Sequence, residues 1–322
     1  MKFHPLKAFC AVLVLMTAGC GGPQSDQRLV AFSQANNAEP YRADQKALME
    51  KLFAQTPGVR LVVSDAQQDN SRQIAQIETF IRQKPAVLIV APNERAALTA
   101  VMGQAMQAGI PVICLERDIL QPNYTTYIRM DNRVIGQMAG QFIVEHLTKK
   151  FGEPKGNVVI IRGLLGVEAQ INRDGGAREV LSRYPQIHIV ADPVADWIQA
   201  KAKDRMTEVL RVQPHIDVVY AHNDPMAIGA YLAAKELNRD QEMIFVGVDG
   251  LGGPAGGIKK VMDGVLAATF IYPLGVNEAV AVAKSILHDS AYRPEKEITL
   301  GSAMVTSANA RQLYQESTVP SH

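Results

Sequence analysis

The sequence predicts an α/β protein made of two doubly wound, parallel-sheet lobes. Three observations carry that expectation. Short apolar runs rich in Val and Ile recur along the chain. Stretches with apolar residues at helical spacing separate them, the alternation of strand–helix units with right-handed crossovers. About ten strands can be counted, a number at which one open twisted sheet tends to split. The 322 residues, 47% hydrophobic, suffice for two domains of ordinary size.

The first segment stands outside that pattern. Lys2 and Lys7 form a short basic region, Ala8–Ala18 is an apolar run too short to span a bilayer, and small residues lead to Cys20. That order reads as a secretory signal over residues 1–19. Thr17-Ala18-Gly19-Cys20 is similar to the lipobox of bacterial lipoproteins, with Thr17 in place of the usual aliphatic residue. Cleavage there leaves Cys20 as a lipid-bearing N-terminus; a plain secretory signal cut nearby is the other reading. Residues 20–27 then comprise the lipidated Cys and a polar tether. Loss of residues 1–19 takes Lys2 and Lys7 from 33 basic residues and none of the 32 acidic ones, so the mature chain carries a net charge of −1. With Cys10 removed and Cys20 lipidated, Cys114 is expected to be a buried free thiol, and no disulfide is available. No basic stripe argues for nucleic acid.

From Leu29 onward the strand candidates come in order: Leu29–Phe32, Val59–Val63, Ala86–Ala91, Pro111–Leu115, Val158–Ile161, Ile187–Val190, Ile216–Tyr220, Ile244–Val248 and Leu266–Ile271. Unbroken apolar runs suit strands covered on both faces of a parallel sheet. Helices are expected over Ser71–Ile81, where Ile74, Ile77 and Ile81 share a face, and over Ala96–Ala108, Val134–Leu147, Ala200–Leu210, Met226–Leu237 and Asn277–Leu287. The strand-like segment Tyr127–Asn132 ends in Asp131-Asn132, a helix cap before Val134, and marks the boundary between lobes. The polar tail Gln312–His322 is expected to fray.

Catalytic signatures are missing. The chain lacks HExxH, GxSxG, a P-loop and CxxC, and its 7 histidines show no metal-ligand spacing, so neither metal nor cofactor is expected. Gly250–Ala255 matches G-x-G-x-x-A after a strand. Pro254, however, offers no N–H to a phosphate, and the acidic residue required about twenty positions on, after a second strand, is absent. A strand-to-helix loop explains the match.

Open α/β sheets bind ligands outside the carboxyl ends of their strands. There the sequence places Tyr41 and Arg42 after the first strand and Glu116 and Arg117 after the fourth. Arg173 follows a Gly-containing loop beyond Val158–Ile161, Trp197 lies beyond Ile187–Val190, Asn223 follows Ile216–Tyr220, and Asp249 follows Ile244–Val248. Carboxylates, guanidinium forks and amides suit a polyol, and an aromatic face covers the C–H face of a sugar ring. A cleft between two lobes can close on such a ligand. Each residue also has a structural reading: Glu116 and Arg117 as a surface ion pair, Arg173 and Asp174 as solvated helix charges, Trp197 as core filling, Asn223 and Asp249 as helix caps. Joint placement at strand ends favours binding.

Longer motifs sharpen this reading: Phe32-Ser-Gln-Ala35 with Pro40-Tyr-Arg42, Asp65-Ala-Gln-Gln68, Ile89-Val-Ala-Pro92, Ala221–Ala230 (AHNDPMAIGA) and Val246-Gly-Val-Asp-Gly250. On these the chain resembles the periplasmic sugar-binding proteins of the ribose/galactose type, which serve ABC importers and chemoreceptors; the galactofuranose-binding branch is nearest in look. The resemblance runs from about Leu29 to Leu300. It implies the type I periplasmic binding protein fold, with a three-strand hinge near Met130, Tyr272 and Gly301. Each lobe is then discontinuous: 28–130 plus 273–301, and 131–272 plus 302–322. It further implies that Tyr41 and Trp197 stack on the sugar from opposite lobes and that Arg42 matches an arginine of the galactofuranose-like branch. Glu116 and Arg117 occupy the place of an Asp-Arg pair on ring hydroxyls. Arg173, Asn223 and Asp249 supply the arginine, amide and carboxylate of the second lobe. Two departures bear on which sugar fits: Glu116 is one methylene longer than the usual Asp, and Tyr272 stands where ribose-type members carry Gln.

The expectation is therefore an exported, membrane-anchored monomer, not an enzyme, that binds a monosaccharide or related small polyol in the interlobe cleft and delivers it to an ABC permease. The alternative is a sensory receptor of the same fold, presenting a sugar or furanosyl signal to a chemoreceptor or sensor kinase. A repressor of this fold needs an N-terminal helix-turn-helix where the export signal lies. A glycosidase would have to use Glu116 and Asp249 as its paired carboxylates.

Overall fold

The computed structural model describes Met1 and residues 27–318; the export segment and Cys20 lie outside the described residues. Strands are β1 (Arg28–Gln34), β2 (Val59–Asp65), β3 (Val87–Ala91), β4 (Val112–Leu115), β5 (Thr126–Met130), β6 (Gly156–Ile161), β7 (Ile187–Ala191), β8 (Val218–Ala221), β9 (Ile244–Val246), β10 (Ala268–Phe270), β11 (Glu297–Leu300) and β12 (Met304–Thr306). Helices are α1 (Pro40–Ala54), α2 (Asn70–Gln83), α3 (Arg95–Gln107), α4 (Asn132–Phe151), α5 (Glu168–Leu181), α6 (Gln199–Val212), α7 (Asp224–Glu236), α8 (Gly257–Met262), α9 (Val276–His288) and α10 (Ala310–Thr318).

The strands form two sheets of six. One has the order β2-β1-β3-β4-β5-β11 and is parallel throughout. The other has the order β7-β6-β8-β9-β10-β12 and is parallel except at its edge strand β12. The chain crosses between sheets after β5, after β10 and after β11. Strand order reverses between β1 and β3 in one sheet and between β6 and β8 in the other, the switch points where such sheets open a crevice.

Burial explains why the central strands read as unbroken apolar runs. Every residue of β3, β4 and β8 is buried, because helices cover both faces. In the first lobe one face is packed by Phe32, Ile89, Leu115 and Val280 and the other by Leu88, Val90, Leu98 and Met102. In the second lobe one face holds Val159, Val219, Met206 and Phe245, the other Ile160, Tyr220, Ile143 and Phe270. Tyr41 of α1 reaches into this last cluster beside Tyr272 and so ties the lobes together near the crossings.

Helix starts follow their caps. Asp69 accepts from Arg72 N, Asp131 from Arg133 N and Val134 N, and Asn223 from Met226 N. Pro40 and Pro225 occupy the first turns of α1 and α7, where a missing N–H costs nothing. Helices α4 and α5 approach closely: a Cβ on Gly136 would lie 2.4 Å from the Arg173 carbonyl oxygen, and one on Gly176 would lie 2.3 Å from that of Arg133. Small residues at this crossing set the position of α5, and hence of Arg173.

Several elements differ from the periodicity reading. In helices α1 and α5 the apolar stripe is interrupted by buried polar side chains: Arg42 and Gln45 in α1, and Glu168, Gln170 and Arg173 in α5. Strands β11 and β12 are short edge strands with mixed burial, so they show no apolar run. The tail corrects an expectation. Instead of fraying from Gln312, the chain forms α10, which buries Ala310 and packs Leu313 and Tyr314 against the second-lobe core. Cys114 is a buried free thiol whose Sγ lies 3.1 Å from the Arg117 carbonyl oxygen. Among the described residues no helix is long and apolar enough to cross a membrane.

Candidate functional site

Tyr41, Arg42, Glu116, Arg117, Arg173, Trp197, Asn223, Asp249 and Tyr272 line one cavity between the sheets, with Glu39, Pro40, Ala169 and Pro225. All nine of the first set are buried. The cavity measures about 20 Å³, whereas small-molecule sites run to roughly 300–1,000 Å³. A ring-sized molecule would therefore enter only as the lobes part or side chains swing aside.

The first wall rests on a buried ion cluster. Glu116 lies just beyond β4 at φ 70 and pairs through Oε2 with Arg42 Nη2; Arg117 Nε is 3.6 Å from the same oxygen. Arg42 Nη1 donates to Gln45 Oε1 at 3.2 Å and Arg117 Nη1 to the Asn93 carbonyl at 2.9 Å. This overturns the surface-pair reading: Glu116 and Arg117 are buried, and Arg42 is the tighter partner. Burial alone would raise the Glu116 carboxyl, but Arg42 and then Arg117 outweigh it and hold the group below its usual range. The Nε atoms of Arg42 and Arg117 are buried without a hydrogen-bond partner, Arg117 Nε standing only in ion-pair range of Glu116.

The second wall is less self-satisfied. Arg173 is buried, not solvated. It donates through Nε to Asn132 Oδ1 at 2.9 Å and through Nη1 to the His222 carbonyl, while Asp174 pairs with Arg178. Trp197 stands with Arg117 and Arg173 over its ring at 6.0 and 5.8 Å. Behind it is Gly163, where a Cβ would lie 2.2 Å from the indole, so only glycine leaves room for the ring. Asn223 caps α7 and also donates to the Trp197 carbonyl at 3.1 Å. Asp249 does not cap: α8 begins at Gly257, and the Asp249 carboxylate makes no hydrogen bond within the chain. Burial, then the Asp224 carboxylate, push Asp249 well above the usual range.

Tyr272 joins the walls. Its hydroxyl donates to Glu116 Oε1 at 3.1 Å and accepts from Asn132 Nδ2 at 3.3 Å, and its ring lies 5.2 Å from that of Tyr41 with Arg173 4.3 Å from its centre. Tyr41 Oη donates to the Pro273 carbonyl at 2.8 Å. Backbone strain gathers here as well. Among the described residues eight non-glycine residues have positive φ, and Gln67, Gln68, Glu116, Trp197 and Asp249 line this cavity or its mouth; such conformations persist where surrounding structure enforces them.

Sequence reasoning passed over Glu39, Pro40 and Pro225. Each adjoins a candidate: Glu39-Pro40 precede Tyr41, and Pro225 follows Asn223-Asp224. The signal was Pro at a helix start directly after a strand. Asp224 also went unassigned. It lies behind the cavity, accepting from Thr269 Oγ1 at 2.6 Å and Gly250 N at 2.9 Å, in a slot that Gly247 and Gly257 leave open. Burial pushes its pKa up to about 7. A carboxyl raised in the fold binds a proton that the unfolded chain has released, so its contribution falls as pH rises from about 4 toward 7 and is flat above. His222, held well below its ordinary value by burial, acts in the opposite sense below about pH 6.5. The clean observable is a difference. The thermal midpoint of the wild type relative to Asp224→Asn should decline between pH 5 and 7 and level off by pH 8; a flat difference would refute the assignment.

Two doubly wound sheets around a buried, arginine- and carboxylate-lined, aromatic-walled cleft define the two-lobed solute-binding class with the type I fold. The chain belongs to the family described as periplasmic binding protein domain, which matches residues 30–287. It is 31% identical to a xylitol-binding protein of Mycolicibacterium smegmatis over 73% of this chain and 66% of that protein. It is also 31% identical to a galactofuranose-binding protein of Escherichia coli, over 69% of this chain and 71% of that one. A solved structure, the fructose-binding periplasmic domain of a hybrid two-component system, superposes with a TM-score of 0.84 at 35% identity, covering 91% of this chain and 95% of that one.

Proposed function

We propose that this protein is a sugar receptor that closes its two lobes on a monosaccharide or related small polyol and hands it to an ABC permease. The observation that carries the reading is the convergence of three guanidinium groups, three carboxylates, an amide and three aromatic rings from both lobes on one buried cavity. That set satisfies hydroxyls on a ring edge and covers the C–H face. The nine residues serve as its ligand contacts. The moving bodies are 28–130 plus 273–301 and 131–272 plus 302–322. Cys20, outside the described residues, carries the lipid that holds a monomeric receptor at the membrane.

The site binds without chemistry. Both Glu116 oxygens are engaged, Oε2 by Arg42 and Oε1 by Tyr272, which suits a fixed acceptor and not a nucleophile. Release of nitrophenol from nitrophenyl glycosides would contradict this. A sensory role is favoured by one observation, the likeness to a domain of a hybrid two-component system. A sensor-kinase gene beside this one, in place of permease and ATPase genes, would make that the better reading.

The test is a thermal-shift screen of the refolded, purified chain against fructose, ribose, arabinose, galactose, xylitol and myo-inositol. One or more should raise the midpoint by several degrees, since a ligand specific to the folded state stabilises it by mass action. Trp197 is the only tryptophan, so its fluorescence should change with the same ligand. No midpoint shift and no fluorescence change across the panel would end the proposal.

A further inference from the structure

Helix α4 opens on two polar residues that divide their work. Asp131 caps the helix, accepting from Arg133 N and Val134 N, each at 3.1 Å. The Asn132 side chain takes no part in the cap. It is fully buried and lies behind the cleft wall, outside the set of residues that line the central cavity. Both polar atoms of its carboxamide are in use. Oδ1 accepts from Arg173 Nε at 2.9 Å, and Nδ2 donates to Glu168 Oε2 at 2.7 Å and to the Tyr272 hydroxyl at 3.3 Å.

Two of these partners are cleft residues. Arg173 is held at two points, Nε by Asn132 and Nη1 by the His222 carbonyl, while Nη2 makes no hydrogen bond within the chain and is not wholly buried. A guanidinium is a rigid planar fork, so fixing two of its nitrogens fixes the direction of the third. The Tyr272 hydroxyl carries the connection to the first lobe by donating to Glu116 Oε1 at 3.1 Å. Glu168 is itself held by Asn172 Nδ2 and lies 3.8 Å from Arg129 Nη2 on β5. Helix α4 thus sets Arg173 twice over: Gly136 admits its backbone, and Asn132 aims its side chain. Without Asn132 the buried guanidinium would hang from the His222 carbonyl alone, with an unpaired Nε driving it toward another acceptor.

We propose that Asn132 is a positioning residue for ligand binding: it aims the Arg173 guanidinium so that Nη2 meets a sugar hydroxyl, and through Tyr272 it ties that aim to Glu116 across the cleft. The role rests on the sugar-binding reading of the cleft, and Asn132 itself touches no sugar. Titration calorimetry of the purified full chain with fructose, ribose, arabinose, galactose, xylitol and myo-inositol finds the tightest of the six, and variants are compared on that sugar. Asn132→Ala should weaken it about 10- to 100-fold, the range for one hydrogen bond to a charged group. A residue that only stabilised the fold would leave the ligand-free cleft as it was. Trp197, the only tryptophan, has Arg173 5.8 Å from its ring centre, so its emission without ligand reports where the guanidinium sits. In Asn132→Ala that emission should shift. Exchanging the two polar groups, Asn132→Asp with Glu168→Gln, keeps the total charge and an acceptor for Arg173 Nε and reverses the bond between positions 132 and 168. The exchange should bring affinity to within about threefold of wild type and restore the emission. Wild-type affinity in Asn132→Ala would overturn the proposal, as would weaker binding with unchanged emission, because the loss would then not run through Arg173. Should alanine unfold the chain, the exchange decides: a folded exchange variant that stays weaker than that threefold limit also overturns it. In each of these cases a wild type that binds leaves the sugar-binding reading standing. If the wild type binds none of the six, that reading falls and the role of Asn132 with it.

Discussion

Glu116→Gln should destabilise the protein by about 3–5 kcal/mol, the usual cost of removing one member of a buried ion pair. The substitution keeps the shape but removes the carboxylate paired with Arg42 and Arg117, leaving these two buried guanidinium groups to repel each other with only the weaker influence of Glu39 to offset it. For lobes of this size the thermal midpoint should fall by on the order of 10 °C. The sign with pH follows from the lowered Glu116 pKa. The stabilisation is present above the ordinary glutamate value of about 4.3 and is lost as pH falls through the lower, folded-state value. Wild type and variant should therefore converge in acid. The double variant Glu116→Gln with Arg42→Met should recover part of the loss, because one unpaired charge has been replaced by an apolar side chain. Chemical denaturation at pH 7 and in acid measures both. A single variant as stable as wild type at pH 7 would show that the cluster is not what holds this wall.

Asp249→Asn should do the reverse: stabilise the ligand-free protein and cripple binding. Asp249 is buried at φ 131, near Asp224, and its carboxylate makes no hydrogen bond within the chain. Keeping it ionised costs folding free energy, as its raised pKa states. Asparagine is isosteric and tolerates a left-handed backbone about as well. The midpoint should rise at pH 8, and the gain should shrink as pH falls and the wild-type carboxyl takes up its proton. A charge-assisted hydrogen bond contributes about 1.5–3 kcal/mol, so affinity should drop by about 10- to 150-fold. Differential scanning fluorimetry with and without the best sugar of the panel reads both effects. A variant that is less stable, or that binds normally, would remove Asp249 from the contact set. The contrast with Glu116 is physical: one carboxylate is ion-paired and hydrogen-bonded within the fold, the other has no hydrogen-bond partner there.

Much of the fold was legible in sequence because parallel strands buried on both faces leave unbroken apolar runs. β3, β4 and β8 announce themselves in this way. The edge strands β11 and β12 did not, since half-exposed edges need no apolar run. Helices α1 and α5 escaped for a related reason. They turn polar side chains inward, Arg42 and Gln45 in one and Glu168, Gln170 and Arg173 in the other, and these interrupt the stripe that reveals a helix. Candidate residues were legible one by one, as polar or aromatic groups just past strand ends. Glu39, Pro40 and Pro225 were marked only indirectly, by a proline at a helix start beside a candidate residue.

By itself the sequence determined the alternation of strands and helices, the division into two lobes and the chemical inventory of the strand ends, because each depends on local spacing and composition. Only the tertiary structure decided which of those groups are already paired. Glu116 is neutralised by Arg42 from another element, 74 positions away, whereas the Asp249 carboxylate has no hydrogen-bond partner. Pairing is a property of distance in space, and chain separation does not encode it.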